Sequence, residues 1–234
     1  MREEEIKKYI VRLNNDDFEE TIFLRQINKF VDFARVWEKE PELNDRTSLD
    51  IPSYRFFFIK NENGKYVGAV LDMKKDLHWY ILEEERKKGY LTRSLREAII
   101  PYLFYEEEEY FEREVQRITI QFGIGELNYK NSRIVAESIG FKPINDDETD
   151  FELSKDEFDW QYENLDEKNG TISSSRFKEL RKRLILYYRQ LIKISDELLV
   201  TYGDDKDLRE AANEISYFNL RIEDIEWENN KENK

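Results

Sequence analysis

The sequence predicts an α+β domain followed by an antiparallel helical hairpin. Three observations carry this. Strand-like and helix-like segments alternate over residues 1–155 in the order β-α-β-β-β-α-β-α-β-β. Residues 156–172 are polar with scattered aromatics and read as a linker. Residues 173–228 carry two apolar runs at alternating three- and four-residue steps. The remaining residues, 229–234, read as a disordered tail.

Ile6–Leu13 reads as the first strand. Asp16 and Asp17 supply an N-cap for an amphipathic helix with Phe18, Ile22, Ile27, Phe30, Ala34 and Trp37 inward, ended by Pro41 and the polar run Asn44–Ser48. Tyr54–Ile59 and Tyr66–Leu71 are strands joined by a hairpin turn at Asn61–Gly64, and Leu77–Leu82 is a fourth strand. Thr92–Phe111 reads as a helix with Leu95, Ile99 and Tyr102 or Leu103 inward. Val115–Phe122 alternates, with Ile118, Ile120 and Phe122 on one face. A short helix spans Ser132–Ile139 and stops at Gly140. Phe141–Ile144 and Phe151–Leu153 form a last hairpin. In the C-terminal part, Ser173–Ser175 cap a helix with its seam on Phe177, Leu180, Leu184, Tyr187, Leu191, Ile194 and Leu198. Gly203–Asp207 break the chain. A second seam follows on Leu208, Ala211, Ile215, Phe218, Ile222 and Ile225.

Composition narrows the function. Thirty-eight basic side chains stand against 52 acidic ones, net −14. Such a field repels nucleic acid and favours a cationic partner. There is no Cys and a single His, His78, so thiolate chemistry, disulfides and a His-rich metal site are excluded. The N-terminus has no long apolar core and no stretch reaches a membrane span, so a cytoplasmic protein is expected.

The chemistry sits in LHWYILEEERKKGYLTRSL, residues 77–95. A strand leads into three acids, then Arg86-Lys87-Lys88-Gly89, then a helix. Gly89 allows a tight turn and a ligand close to the backbone. The first amides of a helix lack partners and point at an anion, and the three cations add positive charge. A diphosphate fits. Taken singly, each feature has a plainer reading. Arg86–Lys88 is a solvated basic turn, His78 an ordinary strand residue, Ser132 an N-cap, and Glu106–Glu109 a solvated helix face.

Arg86 and Gly89 match the pattern Q/R-x-x-G-x-G/A, with Leu91 where the last Gly/Ala stands. In this the sequence resembles the GNAT superfamily of acetyl-CoA-dependent N-acetyltransferases. The run GYLT followed by Ser94-Leu95 is similar to that of the branch acetylating ribosomal-protein N-termini, with Lys87 replacing its usual Gly. ELNYKNSRIVAESIGF (126–141) resembles the family's N-x-x-S…GF helix, Ser132 lying at the family spacing before Gly140. Tyr129 stands where that pattern has Asn, flanked by Asn128 and Asn131.

The resemblance implies a GNAT-like mixed central sheet, the acyl-CoA N-acyltransferase fold, open between its fourth and fifth strands. The pantetheine arm of acetyl-CoA would bond the backbone at Ile81 and Leu82, with Asn128 or Asn131 assisting. The pyrophosphate would meet Arg86, Lys87, Lys88, Gly89, Tyr90, Leu91 and Thr92. Family members often place a carboxylate base near the start of the fourth strand, where Asp76 and His78 lie; a Glu of 83–85 is the rival. The acid position that is Tyr in many members is Ala136 here, which leaves Ser132 or Tyr129. The implied activity is transfer of an acetyl group to a primary amine: a protein N-terminus, a polyamine or another cationic amine. No metal is implied. The alternative is an inactive GNAT-like module binding CoA or a protein. The hairpin at 173–228 is open to a homodimer or a protein partner.

Overall fold

The computed structural model describes residues 3–17, 20–43, 45, 53–108 and 111–232. The chain divides into two units, Met1–Asn169 and Gly170–Lys234.

The chain opens on helix α1 (Glu3–Asn14), not on the strand expected at Ile6–Leu13. Its buried residues Ile6, Tyr9, Ile10 and Leu13 share one helical stripe, whereas a strand would split them between two faces. Asp16 and Asp17 end this helix rather than cap another. Asp16 has φ 54°, and the Asp17 amide donates to Arg12 O at 3.0 Å. The helix expected next is instead a hairpin, β1 (Ile22–Asn28) and β2 (Val31–Trp37). Phe18, Asn44 and 46–48, named in that expectation, lie outside the described residues. No glycine marks the turn. Asn28 Oδ1 accepts the Phe30 amide (2.9 Å) and closes it with a side chain.

Strands β3 (Ser53–Lys60), β4 (Tyr66–Asp72) and β5 (Leu77–Ile81) follow as expected. The five strands form one antiparallel sheet in the order β1-β2-β3-β4-β5. Each face has its own core. Phe56, Phe58, Ala69, Leu71 and Tyr80 cluster with Ile6, Ile10 and Leu13 of α1. Phe57, Ile59, Val67 and Val70 belong to the larger core on the other face.

The next helix begins as α2 (Tyr90–Ser94), passes through a π turn (Leu95–Ile99) and ends as α3 (Ile100–Tyr105). Leu95, Ile99, Tyr102 and Leu103 are buried, as expected. Pro101 brings no N–H, and the Glu97 carbonyl one turn earlier accepts the Asn164 amide (2.9 Å). The helix stops short of the expected Phe111. Glu106 follows it and pairs with Arg55 instead of lying on a solvated helix face. Residues 109 and 110 lie outside the described residues. Strands β6 (Glu107–Glu108) and β7 (Phe111–Glu112) pair antiparallel.

Strand β8 (Val115–Thr119) buries Ile118, with Ile120 buried just beyond it, but Phe122 is exposed and opens a 3-10 turn. Helix α4 (Glu126–Ile139) starts six residues before the expected Ser132 and closes at Gly140 with φ 110°. Strands β9 (Lys142–Pro143) and β10 (Asp150–Ser154) complete a second sheet, β8-β10-β9. One continuous mixed sheet is therefore not formed. The ladders are antiparallel, and the parallel pairing described is an isolated bridge, Asp76–Arg117.

Residues 156–169 are fastened to the first unit instead of running free as a linker. Phe158 is buried. Asn28 Nδ2 donates to Asn164 O (3.0 Å). The amides of Asp166 and Lys168 donate to Ile27 O and Gln26 O at 2.9 and 3.0 Å.

The second unit is a hairpin of α5 (Ser174–Tyr202) and α6 (Leu208–Glu232). Ser173 Oγ caps α5 through the Arg176 amide (3.2 Å). Helix α6 continues into the expected tail; residues 233 and 234 lie outside the described residues. Polar groups tie the two helices together: Arg181 to Asn219 (3.1 Å) and Glu223, and Arg209 to Asp196. No helix among the described residues is long and apolar enough to cross a membrane.

The wholly buried Asp72 carboxylate lies 3.0 Å from Arg55 Nε and 3.3 Å from Arg113 Nη2. Removing it leaves the buried Arg113 without its acid and the buried Arg55 with Glu106 as its acid. Asp72→Ala is expected to lower the unfolding free energy by about 3–5 kcal/mol. Lys130→Ala, which removes an exposed pair with Glu126, is expected to change it by less than about 0.5 kcal/mol. Urea unfolding of both variants measures the contrast; equal effects would refute the role of Asp72.

Candidate functional site

Strands β5 and β8 meet at Asp76 and then part. Asp76 Oδ1 accepts two backbone amides, those of Leu77 and Thr119, both at 2.9 Å. The same end is tied twice more: Gln116 Nε2 donates to Lys75 O (3.2 Å), and Arg113 reaches Asp72. Beyond this point β5 pairs with β4 and β8 with β10. A cleft of about 600 Å³ opens between them.

Its wall on one side is the free edge of β5. The Leu82 amide donates to Val67 O at 2.9 Å. Alternation along an antiparallel ladder then turns the N–H groups of Trp79 and Ile81 away from β4, toward the cleft. Leu82 is therefore spent on the sheet, and its side chain is buried in the core against α1. Arg86 Nε donates to Ile81 O (3.1 Å), so that carbonyl already has a partner.

The loop after β5 forms one end of the cleft. A 3-10 turn covers Glu83–Glu85, and Gly89 caps α2 with φ 81°. A Cβ added at Gly89 would meet nothing within 4 Å, so the backbone there faces open space. Lys87 also has positive φ, 62°. The amides of Lys87 to Thr92 have no hydrogen-bond partner among the described residues. Arg86, Lys87, Gly89, Tyr90, Leu91 and Thr92 line the cleft; Lys88 does not, and pairs with Glu85 at 2.8 Å. Tyr90 and Arg93 both bond Glu62 in the β3–β4 turn, at 3.0 and 2.9 Å, which fixes the start of the helix.

Helix α4 forms the opposite wall with Asn128, Asn131, Ser132 and Val135, spaced along one helical stripe. Ser132 lies inside the helix, not at its N-cap. Its Oγ accepts from Trp79 Nε1 at 3.4 Å, a bond across the cleft from β5. Asn128 Nδ2 is held by Ile124 O (2.9 Å). Tyr129 lies outside the cleft, its hydroxyl donating to Glu148 O (2.8 Å) and its ring 4.6 Å from Phe122.

His78 and Asp76 share a face of β5, as the alternation requires, but no hydrogen bond joins them. His78 Nε2 is buried without a partner among the described residues. Burial holds the imidazole below its ordinary value, while the carboxylates of Glu3 and Asp76 pull the other way. Burial likewise pushes the Asp76 carboxyl up against the opposing pull of the Thr119 and Leu77 amides. Glu3, at the start of α1, lines the same cleft. Sequence reasoning missed Glu3, which sat in a segment read as preceding a strand, and Trp79, whose partner lies 53 residues away.

Comparison with protein-family models, with curated proteins and with solved structures finds no match to this chain.

The lone imidazole makes the site directly measurable. Its NMR titration midpoint is expected below 6.5, and lower again in Asp76→Asn; a midpoint at or above that value would refute the burial account. Because the folded pKa is depressed, the folded state binds fewer protons than the unfolded one. Stability is expected to be unaffected by this group above about pH 7 and to fall as pH drops through 6.5. Lys87→Gly relieves a left-handed backbone and is expected to raise stability by up to about 1 kcal/mol in thermal unfolding; a clear loss would show that the Lys87 side chain holds the loop.

Proposed function

We propose that the cleft binds acetyl-CoA and that the chain is a GNAT-type N-acetyltransferase acting on a primary amine. One observation carries the reading: the unpartnered amides of Lys87–Thr92, the free edge of β5 and the polar stripe of α4 converge on a single cleft. The donor's chemistry fits each part. Its pyrophosphate suits a run of free amides at a helix start beside Arg86 and Lys87. Its pantetheine arm suits the exposed edge of a strand, with Asn131 and Asn128 opposite. Arg86 then exchanges Ile81 O for a phosphate oxygen.

The donor supplies a thioester carbonyl. The acceptor nitrogen attacks that carbon, a C–N bond forms, the C–S bond breaks, and the thiolate leaves. The chain's part is three tasks. His78, kept neutral by burial, takes the proton of the incoming ammonium. The Ile81 N–H, turned to the cleft, steadies the oxyanion. Ser132 gives a proton to the departing sulfur and takes up the second proton that the nitrogen sheds as the amide forms, while His78 returns its proton to solvent. Glu3 and the acidic surface draw a cationic acceptor to the open side. The rival reading, a non-catalytic CoA-binding module, is favoured by the commitment of the Tyr129 hydroxyl to Glu148 O.

Calorimetric titration with acetyl-CoA is expected to give a micromolar Kd, near −8 kcal/mol. Gly89→Val, which strains the turn and projects into the open space, is expected to weaken binding by about 100-fold or more. Ser132→Ala is expected to lower kcat by about 100-fold with donor affinity retained. Absence of binding at millimolar donor refutes the reading. Binding without turnover on any amine supports the module instead.

A further inference from the structure

The apolar seams of the C-terminal hairpin are only partly covered: Leu184, Leu191, Ile215 and Ile222 are half-buried, while other seam positions stay exposed. The sides that meet include Arg181, Ser195 and Asn219, and Ser195 Oγ is tied to Asp205. Arg181–Glu223 and Asp196–Arg209 run along one flank. By helical spacing Tyr187 and Ile194 lie on the opposite flank of α5, and Phe218 and Ile225 on the opposite flank of α6. These four therefore share one face of the hairpin. They are 50%, 46%, 45% and 51% exposed. Within each pair the spacing is seven residues, the repeat of a helix-packing seam.

We propose that this face receives a second copy of the same chain, giving a four-helix bundle. Charge selects the occupant and its orientation. Helix α5 carries seven basic and three acidic side chains, net +4, and α6 three basic and seven acidic, net −4. A twofold axis parallel to the helices stacks each α5 on the partner's α6, so opposite charges meet at every neighbouring edge. A twofold axis across the helices stacks α5 on α5 and α6 on α6, which sets like on like. The first arrangement is the favoured one. The size is adequate. A face as long as the 25-residue α6 and two helices wide covers roughly 750 Å² per copy, about that of a standard interface.

The test uses the full chain. Sedimentation equilibrium of the wild type is expected to give twice the 28.6 kDa chain mass, and the double variant Ile194→Glu/Ile225→Glu the single mass with an unchanged circular dichroism spectrum. A monomeric wild type at about 100 μM overturns the proposal, as does a variant that remains dimeric. Orientation is read separately. The chain has no Cys, so an introduced thiol reports only on its own position. Tyr187→Cys and Phe218→Cys chains with different tags, co-expressed and oxidised, are expected to give mainly the mixed disulfide dimer. Self-linked dimers alone, or none, overturn the arrangement.

Discussion

One carboxylate oxygen decides the shape of the first unit. Asp76 Oδ1 takes an amide from its own strand and another from a strand 43 residues later. The Leu77 amide, left without it, would be a largely buried donor lacking a partner, a loss of about 1–3 kcal/mol; the exposed Thr119 amide would turn to water and the tie between the strands would be lost. Gln116 and Arg113 secure the same end, so the two sheets are joined at one point and diverge from it. A fully paired sheet would have consumed the edge of β5. Divergence leaves that edge free and makes the wedge between strand and helix that a ligand can enter.

The local charge opposes the global one. The chain is net −14, yet the loop at 86–88 holds three successive cations above a helix start. On the proposed reading the two signs serve two substrates, an anionic donor at the loop and a cationic acceptor at the open side. Lys87 shows the cost of this arrangement. It occupies a left-handed backbone that Gly would adopt without strain, and in return places a charge beside the free amides.

Much of the cleft was legible because its parts are local. Arg86–Thr92 follows a strand and opens a helix in sequence as in space, and Asn128, Asn131 and Ser132 are close neighbours in the chain. The failures have physical causes. Residues 22–37 read as a helix because both faces of β1 and β2 are partly covered, which erases the two-residue alternation. Their turn is closed by the Asn28 side chain, without the glycine that marks such turns. Helix α1 carried a helical stripe at 6, 9, 10 and 13 that its β-prone residues obscured. Tyr129 neighbours the cleft residues in sequence yet points to the other side of α4, a distinction that required the true helix start. The helical pair was legible from its periodicity; the polar ties Arg181–Asn219 and Ser195–Asp205 within it were not, because periodicity does not encode them.

Residues 164–168 lie along β1 and cover the outer edge of the five-stranded sheet. They reach Gln26 only after some 140 further residues have been made. At about 5–20 residues per second, the ribosome takes roughly 7–28 s to supply them. For that interval β1 is an open edge on a nascent chain, able to pair with the same strand on a neighbouring chain of the polysome. The charged and amide side chains of Arg25, Gln26 and Asn28 stand along that edge, and the exposure they guard against ends only when synthesis has passed the cleft.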